Sequence, residues 1–432
     1  MNGKKFTLNL ILNIIIKIGA VGVGVLASRW ANVYLSATEY ESYITIIAYT
    51  TVILAVTHLG LPVIIQKYYT NVADNVKRSQ LWTAMLIMRV VSFLIGILII
   101  MLTYQFSRSE NMAIIIGFFS IQFILVFDGH YRSVCDAEGR SWQFSVTDFV
   151  AKLLSVSFLY VGVLSLNVQP NLWFLMGCLG VSYVVAFVTD VIWQYPDTKL
   201  SKPDFTEIKL QIVPMLLLTL ANITYAAYNT TDKLFIANLN LPKGDLAGYS
   251  NGYKVYESAL IIPGVAIPML ASYMKKRYDR LLLGAVANRL VSKYRFSKKV
   301  AFFIEWTCVS GSIGLLITIG VLLFGPILLS IIDPNNFYPK SYTVLPILAV
   351  AAFINPIVVT LAQFIIFMKN GEKYELAASV ILMIVALVGY WVLIPQFGII
   401  GASLATLIAL VFDVFLKIYF LSKVVKNSSY EN

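Results

Sequence analysis

Long apolar runs separated by short polar gaps recur twelve times along this chain. They lie near Leu8–Trp30, Ser42–Gln66, Gln80–Gln105, Met112–Val134, Ser145–Leu166 and Asn171–Gln194. A second set follows near Leu210–Ala237, Leu246–Ser272, Val300–Gly325, Tyr342–Met368, Glu375–Ile394 and Ile399–Leu421. Each is about 20 residues or more, enough to cross roughly 30 Å of hydrocarbon as a helix. A helix is the open-ended element that satisfies its own backbone hydrogen bonds in lipid. The pattern predicts an all-α, polytopic membrane protein of 12 transmembrane helices with almost no extramembrane domain.

The charges set the orientation. With Lys4 and Lys5 inside, the inner segments collect 23 Lys and Arg, nine of them between Lys275 and Lys299. The outer gaps hold four: Arg29, Arg108, Lys243 and Lys340. Such an asymmetry predicts cytoplasmic termini and supports the span count. The net charge of +11 then follows from membrane insertion and calls for no nucleic-acid partner. An apolar content of 59% and a mean hydropathy of +0.78 also lie far from soluble averages. The stretch 273–299 alternates bases with apolar residues and is expected to lie on the anionic leaflet.

The three cysteines, Cys135, Cys178 and Cys308, show no paired external spacing, so no disulfide framework is expected. No HExxH, Walker loop, CxxC or GxSxG occurs, and the histidines are two, His58 and His130. Neither an enzyme nor a metal or other cofactor is expected, and any work must draw on gradients or the membrane potential.

The chain also reads as two halves. ANVYLSATEYESY (31–43) lies on ANLNLPKGDLAGY (237–249) at a constant offset of 206, with Ala31/Ala237, Asn32/Asn238, Leu35/Leu241 and Tyr43/Tyr249 identical. Pro62 falls on Pro268 at the same offset, and Glu39 matches Asp245 in charge. A polar, two-proline linker near Tyr195–Lys209 divides the spans six and six. The expected organisation is therefore an N-terminal six-helix bundle over 1–197 and a C-terminal one over 198–432. Each half has an even number of spans, so both share one orientation. Their pseudo-two-fold axis would lie along the membrane normal, with a substrate cavity exposed alternately to each side.

Ionisable groups inside spans are costly, at least about 2.5–3.5 kcal/mol at the bilayer centre, so their positions are informative. The first span carries Asn9, Asn13 and Lys17 at i, i+4 and i+8, with Arg29 at its outer end. The seventh carries Asn222, Tyr225, Asn229, Asp232 and Lys233, and the eighth Lys254, Glu257 and Ser258. The four charges Asp232, Lys233, Lys254 and Glu257 fall at similar depths in the outer third. Two readings stay open for them: a static ion-pair lock, or pairing that switches with the carrier's state. Arg29 joins that group or snorkels to the interface. Arg89, about nine residues into the third span, is too deep for easy snorkelling and is a candidate cargo contact. Asp148/Lys152 and Asp413/Lys417 have the acid-before-base i, i+4 spacing that stabilises a helix. Asp128, Asp190 and Glu305, near inner ends, are expected to be solvated or paired with loop bases. His58, one turn before Gly60–Leu61–Pro62, has two readings, a group that titrates near neutral pH and a satisfied packing residue, and the second is the expected one.

The segment NTTDKLFIANLNLPKGDLAGYSNGYKV (229–255) resembles that of the polysaccharide transporters, the lipid-linked oligosaccharide flippases of the multidrug/oligosaccharidyl-lipid/polysaccharide exporter superfamily. Asp232, Lys233, Gly248, Tyr249, Tyr253 and Lys254 match it position by position. The fourteen-helix peptidoglycan-precursor branch has two further helices that this chain lacks. The resemblance implies outward movement of an undecaprenyl-diphosphate-linked oligosaccharide across a bacterial plasma (inner) membrane, as in O-antigen assembly. It implies membrane lipids and other polysaccharide-assembly membrane proteins as partners. In that reading Lys17, Arg89, Lys233, Lys254, Arg29, Asn13 and Asn229 contact the cargo, and Asp232 and Glu257 couple an ion. The rivals are a multidrug or cation exporter of the same superfamily, which wants an acid-dominated cavity, and a membrane polysaccharide polymerase or ligase, which wants a long outer loop.

Overall fold

The computed structural model describes residues 3–61, 75–104, 112–137, 141–194, 199–210, 212–239, 241–264, 267, 292–368 and 371–430. Among these residues every regular element is a helix. In chain order they are α1 (Gly3–Tyr34), α2 (Ala37–Thr57), α3 (Asn75–Thr103), α4 (Met112–Ala137), α5 (Ser141–Leu164) and α6 (Leu172–Gln194). The short α7 (Thr206–Leu210) and α8 (Ile212–Asn238) follow. Then come α9 (245–264), α10 (Ser292–Ile332), α11 (Ser341–Phe367) and α12 (Gly371–Tyr430).

Eight helices among the described residues, α2 to α6 and α10 to α12, are long and apolar enough to span a bilayer. The protein is a multi-pass membrane protein with an all-helical fold. Exposed apolar side chains agree: α3 presents Val90, Leu94, Ile95, Leu98 and Leu102, and α10 presents Leu315, Leu316, Leu322 and Leu323. A surface of that kind is expected against lipid, not water. The count differs from the twelve runs for two reasons. The count covers the described residues alone, and the runs assigned to α1, α8 and α9 each include residues or side chains outside them. The last two runs both fall inside α12, whose apolar stretch Lys373–Val424 is 52 residues long.

That long element is not straight. Gly398 has φ 59° and ψ −137°, outside helical space, shortly after Pro395. Tyr390 Oη lies 3.2 Å from Thr406 Oγ1, sixteen residues on, so the chain doubles back at Gly398. A Cβ on Gly401 would sit 2.1 Å from the Leu393 carbonyl oxygen, so the arms meet with no room for a side chain there. The break falls between the two apolar runs read as separate spans.

By packing, the chain forms two compact units: 1–250 with 330–338, and 251–329 with 339–432. This partition rests on contacts, whereas the division at 197/198 rests on the internal repeat. In the first unit α1 packs on α5, α2 on α8 and α4, and α6 on α4 and α5. Trp30 is fully buried there, its indole N–H donating to the Leu159 carbonyl at 3.1 Å. Trp82, Met85, Tyr131 and Val134 close one end of this unit over Ile208 of α7 and Met215 of α8. In the second unit α11 packs on α12, and Phe302, Trp306, Phe364, Ile365 and Leu421 form its core. Gly314 lets α10 approach α11 closely, since a Cβ would lie 2.2 Å from the Phe353 carbonyl oxygen. Small residues serve this purpose in membrane helix packing.

Candidate functional site

The two repeated segments both form a helix end, a turn and a new helix start. In the first, Ser36 caps α2 by a capping box: its hydroxyl accepts from Glu39 N–H at 3.3 Å, and its own N–H donates to Glu39 Oε2 at 3.1 Å. In the second, Gly244 (φ 88°) turns the chain into α9. The turns are tied together, because Gly244 N–H donates to Glu41 Oε1 at 2.8 Å. A crevice of about 300 Å³ opens beside this bond, lined by Thr38, Glu41 and Ser42 from one segment and Asn238, Leu241 and Lys243 from the other. The same region holds Asp333, whose carboxylate accepts from Phe337 N–H at 3.0 Å and Tyr338 N–H at 2.7 Å.

Also in the first unit, Asp232 is fully buried on α8. Its Oδ2 accepts from the Tyr249 hydroxyl at 2.5 Å, and its Oδ1 from Lys233 N–H at 2.7 Å. Lys233 is half-buried. Asn229 is half-buried too, its amide donating to the Tyr225 carbonyl at 2.9 Å. In the second unit, Lys254 and Glu257 of α9 make an ion pair at 3.7 Å, with side chains 44% and 43% exposed. The partners seen for Asp232 and Glu257 thus come from different sources, a tyrosine hydroxyl for one and a helix-local lysine for the other.

Arg89 is as closed off from solvent as Asp232. It is fully buried on α3, and its Nη1 donates to the carbonyls of His58 at 2.9 Å and Thr57 at 3.3 Å. Its Nε donates to His130 Nδ1 on α4 at 3.3 Å. These carbonyls have no helical partner because α2 stops there: Leu59 (φ 51°) and Gly60 (φ 60°) leave helical space, and the His58 carbonyl has besides Arg89 a long bond from Leu61 N–H at 3.4 Å. Arg89 therefore serves as the C-terminal cap of α2, where a cation also meets the negative end of the helix dipole. His58 Nδ1 lies 3.2 Å from the Asn222 amide of α8, joining a fourth helix to the cluster. Among the described residues no carboxylate reaches Arg89 within ion-pair distance.

Lys17 is half-buried on α1, and the side chain of Asn13 lies outside the described residues. Arg29 is half-buried, its Nη1 donating to the Ile331 carbonyl at 3.4 Å. The structure thus gathers Asp232 with Lys233 and pairs Lys254 with Glu257, while Arg89 takes its partners from α2 and α4.

Several groups sequence reasoning misplaced or missed. Asp128 and Asp190 are buried, not solvated; Asp190 Oδ2 accepts from the Thr147 hydroxyl at 2.8 Å. Their positions near predicted helix ends suggested water, but the ends are covered by packing. Asp148 and Lys152 do pair, at 2.9 Å. Glu375, absent from the expected set, meets Lys417 at 2.5 Å. His130 was visible as one of two histidines, yet nothing in its local sequence points to Arg89.

No family model matches this chain, and no curated protein does. Solved structures do. An inward-facing multidrug resistance MATE family transporter of the MOP superfamily aligns with TM-score 0.68 and 12% identity over 97% of this chain and 99% of that one. An outward-facing MATE transporter aligns with TM-score 0.64 and 14% identity over 97% and 96%. A mutant form of the Vibrio cholerae MATE transporter VcmN aligns with TM-score 0.64 and 13% identity over 98% and 97%. The chain shares the MATE transporter fold along its whole length.

Proposed function

We propose that this protein is a carrier working by alternating access, with twelve spans in two six-helix halves, that moves a lipid-linked oligosaccharide diphosphate from the inner to the outer leaflet of a bacterial plasma membrane. The observation that carries this reading is the presence of cationic side chains at depth in the first unit, Arg89 above all. Arg89 is buried with neutral partners, and Lys17 and Lys233 are half-buried within their spans. Sugars and a diphosphate need a wet, polar, cationic path, while the lipid tail stays in the bilayer. An inside-negative potential favours outward movement of an anion by about 2.3 kcal/mol per charge per 100 mV. Lys17, Arg29, Lys233, Lys254, Asn13 and Asn229 supply contacts to the headgroup, and Arg89 joins them when the end of α2 moves. Asp232 and Glu257 are the coupling acids in this reading, with membrane lipids and other polysaccharide-assembly proteins as neighbours. No chemical conversion is involved.

A second reading is favoured by the names of the structural neighbours and by the buried pair Asp128 and Asp190: export of organic cations. One experiment separates the two. In a host lacking its own exporter, labelled glycolipid is followed between leaflets while a fluorescent cation is followed across the membrane. Restored outward glycolipid, lost in Lys17→Ala and Lys233→Ala at normal expression, supports the flippase. Restored cation efflux with glycolipid left on the inner leaflet supports the exporter.

A further inference from the structure

The second unit holds a charge cluster that neither reading uses. Lys417 Nζ, on the second arm of α12, lies 2.5 Å from Glu375 Oε1 on the first arm and 3.7 Å from Asp413 Oδ2 one turn away. The three side chains are 5%, 15% and 1% exposed, in the order Lys417, Glu375, Asp413. Two carboxylates share one ammonium, and the ammonium sits on Glu375. Both oxygens of Asp413 and Oε2 of Glu375 are buried without a hydrogen-bond partner. Buried polar atoms are nearly always bonded, so three orphan carboxylate oxygens at one place need an explanation. A carboxylate removed from water with no hydrogen-bond donor and only a shared, longer-range counter-charge is costly to keep in a folded chain.

Among the described residues, the surroundings do not supply the missing charge. The neighbouring faces of α10 and α11 contribute Phe302, Trp306, Phe364 and Ile365, packed with Leu421 beside the cluster. Among the described side chains, the other charged groups at this end on α10 and α12 are Glu305, Lys373 and Lys423, and all three are exposed. Glu305 has the wrong sign. Among the described residues no group of three or more His, Cys, Asp or Glu gathers as a metal site, so a divalent ion is not indicated.

We propose that Asp413, with Glu375 and Lys417, is a binding site for one small monovalent cation, H⁺ or Na⁺, received on the orphan oxygens of Asp413. Occupied, the cluster is electrically neutral; emptied, it carries one negative charge between the arms of α12. The site would couple the packing of the arms to proton or sodium concentration. It stands whether the cargo is a glycolipid or an organic cation, and its test needs no cargo.

The test uses the full-length protein purified in detergent, with unfolding midpoints measured against NaCl and against pH, ionic strength being held with choline chloride. If Na⁺ is the ligand, the wild-type midpoint rises with NaCl at constant pH, and Asp413→Asn loses that rise. If H⁺ is the ligand, NaCl has no effect, and the part of the pH dependence carried by the site disappears in Asp413→Asn. The asparagine removes the surplus charge with little change of shape, so the variant is expected to fold. Should it not accumulate, Glu375→Gln removes one charge from the other arm and is read in the same way. The proposal is overturned if the readable variant follows wild type in both titrations. It is also overturned if both variants fail to fold while the wild type responds to neither ion.

Discussion

Arg89 in the first unit and Asp413 in the second are both charged, both deep and both almost sealed from solvent, yet they are handled in opposite ways. Arg89 is met mainly by backbone, through Nη1, while its Nη2 is buried without a hydrogen-bond partner. The broken end of α2 offers it two carbonyls, and His130 offers a ring nitrogen. Asp413 is left to side chains, and the one base within reach sits closer to Glu375. The difference teaches that depth alone does not define a functional charge. A deep cation bonded to a helix end is part of the scaffold in this conformation. A deep acid with both oxygens orphaned is what the proposed cation site rests on.

The largest effect expected from disturbing this contrast is at Lys417. Lys417→Met leaves two buried carboxylates without a base and should cost about 3–5 kcal/mol of unfolding free energy by chemical denaturation in detergent. Adding Asp413→Asn should restore a measurable part of the loss. Next, Arg89→Ala strands the Thr57 carbonyl, leaves the His58 carbonyl only the long bond from Leu61 N–H, and should cost about 3 kcal/mol by the same measurement. Arg89→Lys should recover less than half, because one ammonium cannot reach all three acceptors. An Arg89→Ala protein as stable as wild type but silent in export would instead place Arg89 among the cargo contacts.

A third change probes an acid that does have a donor. Tyr249→Phe removes the hydroxyl from buried Asp232 and should cost about 2 kcal/mol. Lys254→Ala, at the half-exposed pair with Glu257, should change stability by no more than about 0.5 kcal/mol, and less in high salt. The smallest effect is at Asp204 ahead of α7, where the Thr206 hydroxyl and N–H hold the carboxyl below its ordinary range. An acid lowered in this way adds stability above its unfolded titration point and loses it as pH falls through the folded one. Hydrogen exchange in α7 should therefore be slower at neutral pH than in acid, once the intrinsic pH dependence of exchange is divided out, and Asp204→Ala should narrow that gap.

The apolar runs made the helical, membrane-spanning character legible, because hydropathy is a property of local sequence. The break between the last two runs was legible for the same reason, with Pro395 and Gly398 at the joint. The repeat at 31–43 and 237–249 pointed to turns that are tied through Glu41 and Gly244. Partners were not legible. Asp232 finds Tyr249 seventeen residues away, Arg89 finds His130 at forty-one, and Lys417 finds Glu375 at forty-two. The rotation of each helix decides such pairs, and polar spacing on one helix carries no information about its neighbour. The Asp413–Lys417 spacing was readable as a helix-stabilising pair, but the third member that changes its meaning lay on another arm.

Gly398 has a consequence for how the protein is made. Two hydrophobic arms joined by a reversal with almost no polar linker favour entry into the bilayer as a hairpin, since either arm alone would expose its partner-facing side to lipid. Insertion of a tag or protease site at 396–400 would separate two surfaces that meet within bonding distance at Tyr390 and Thr406. Biogenesis, not cargo movement, would be the first process to suffer there.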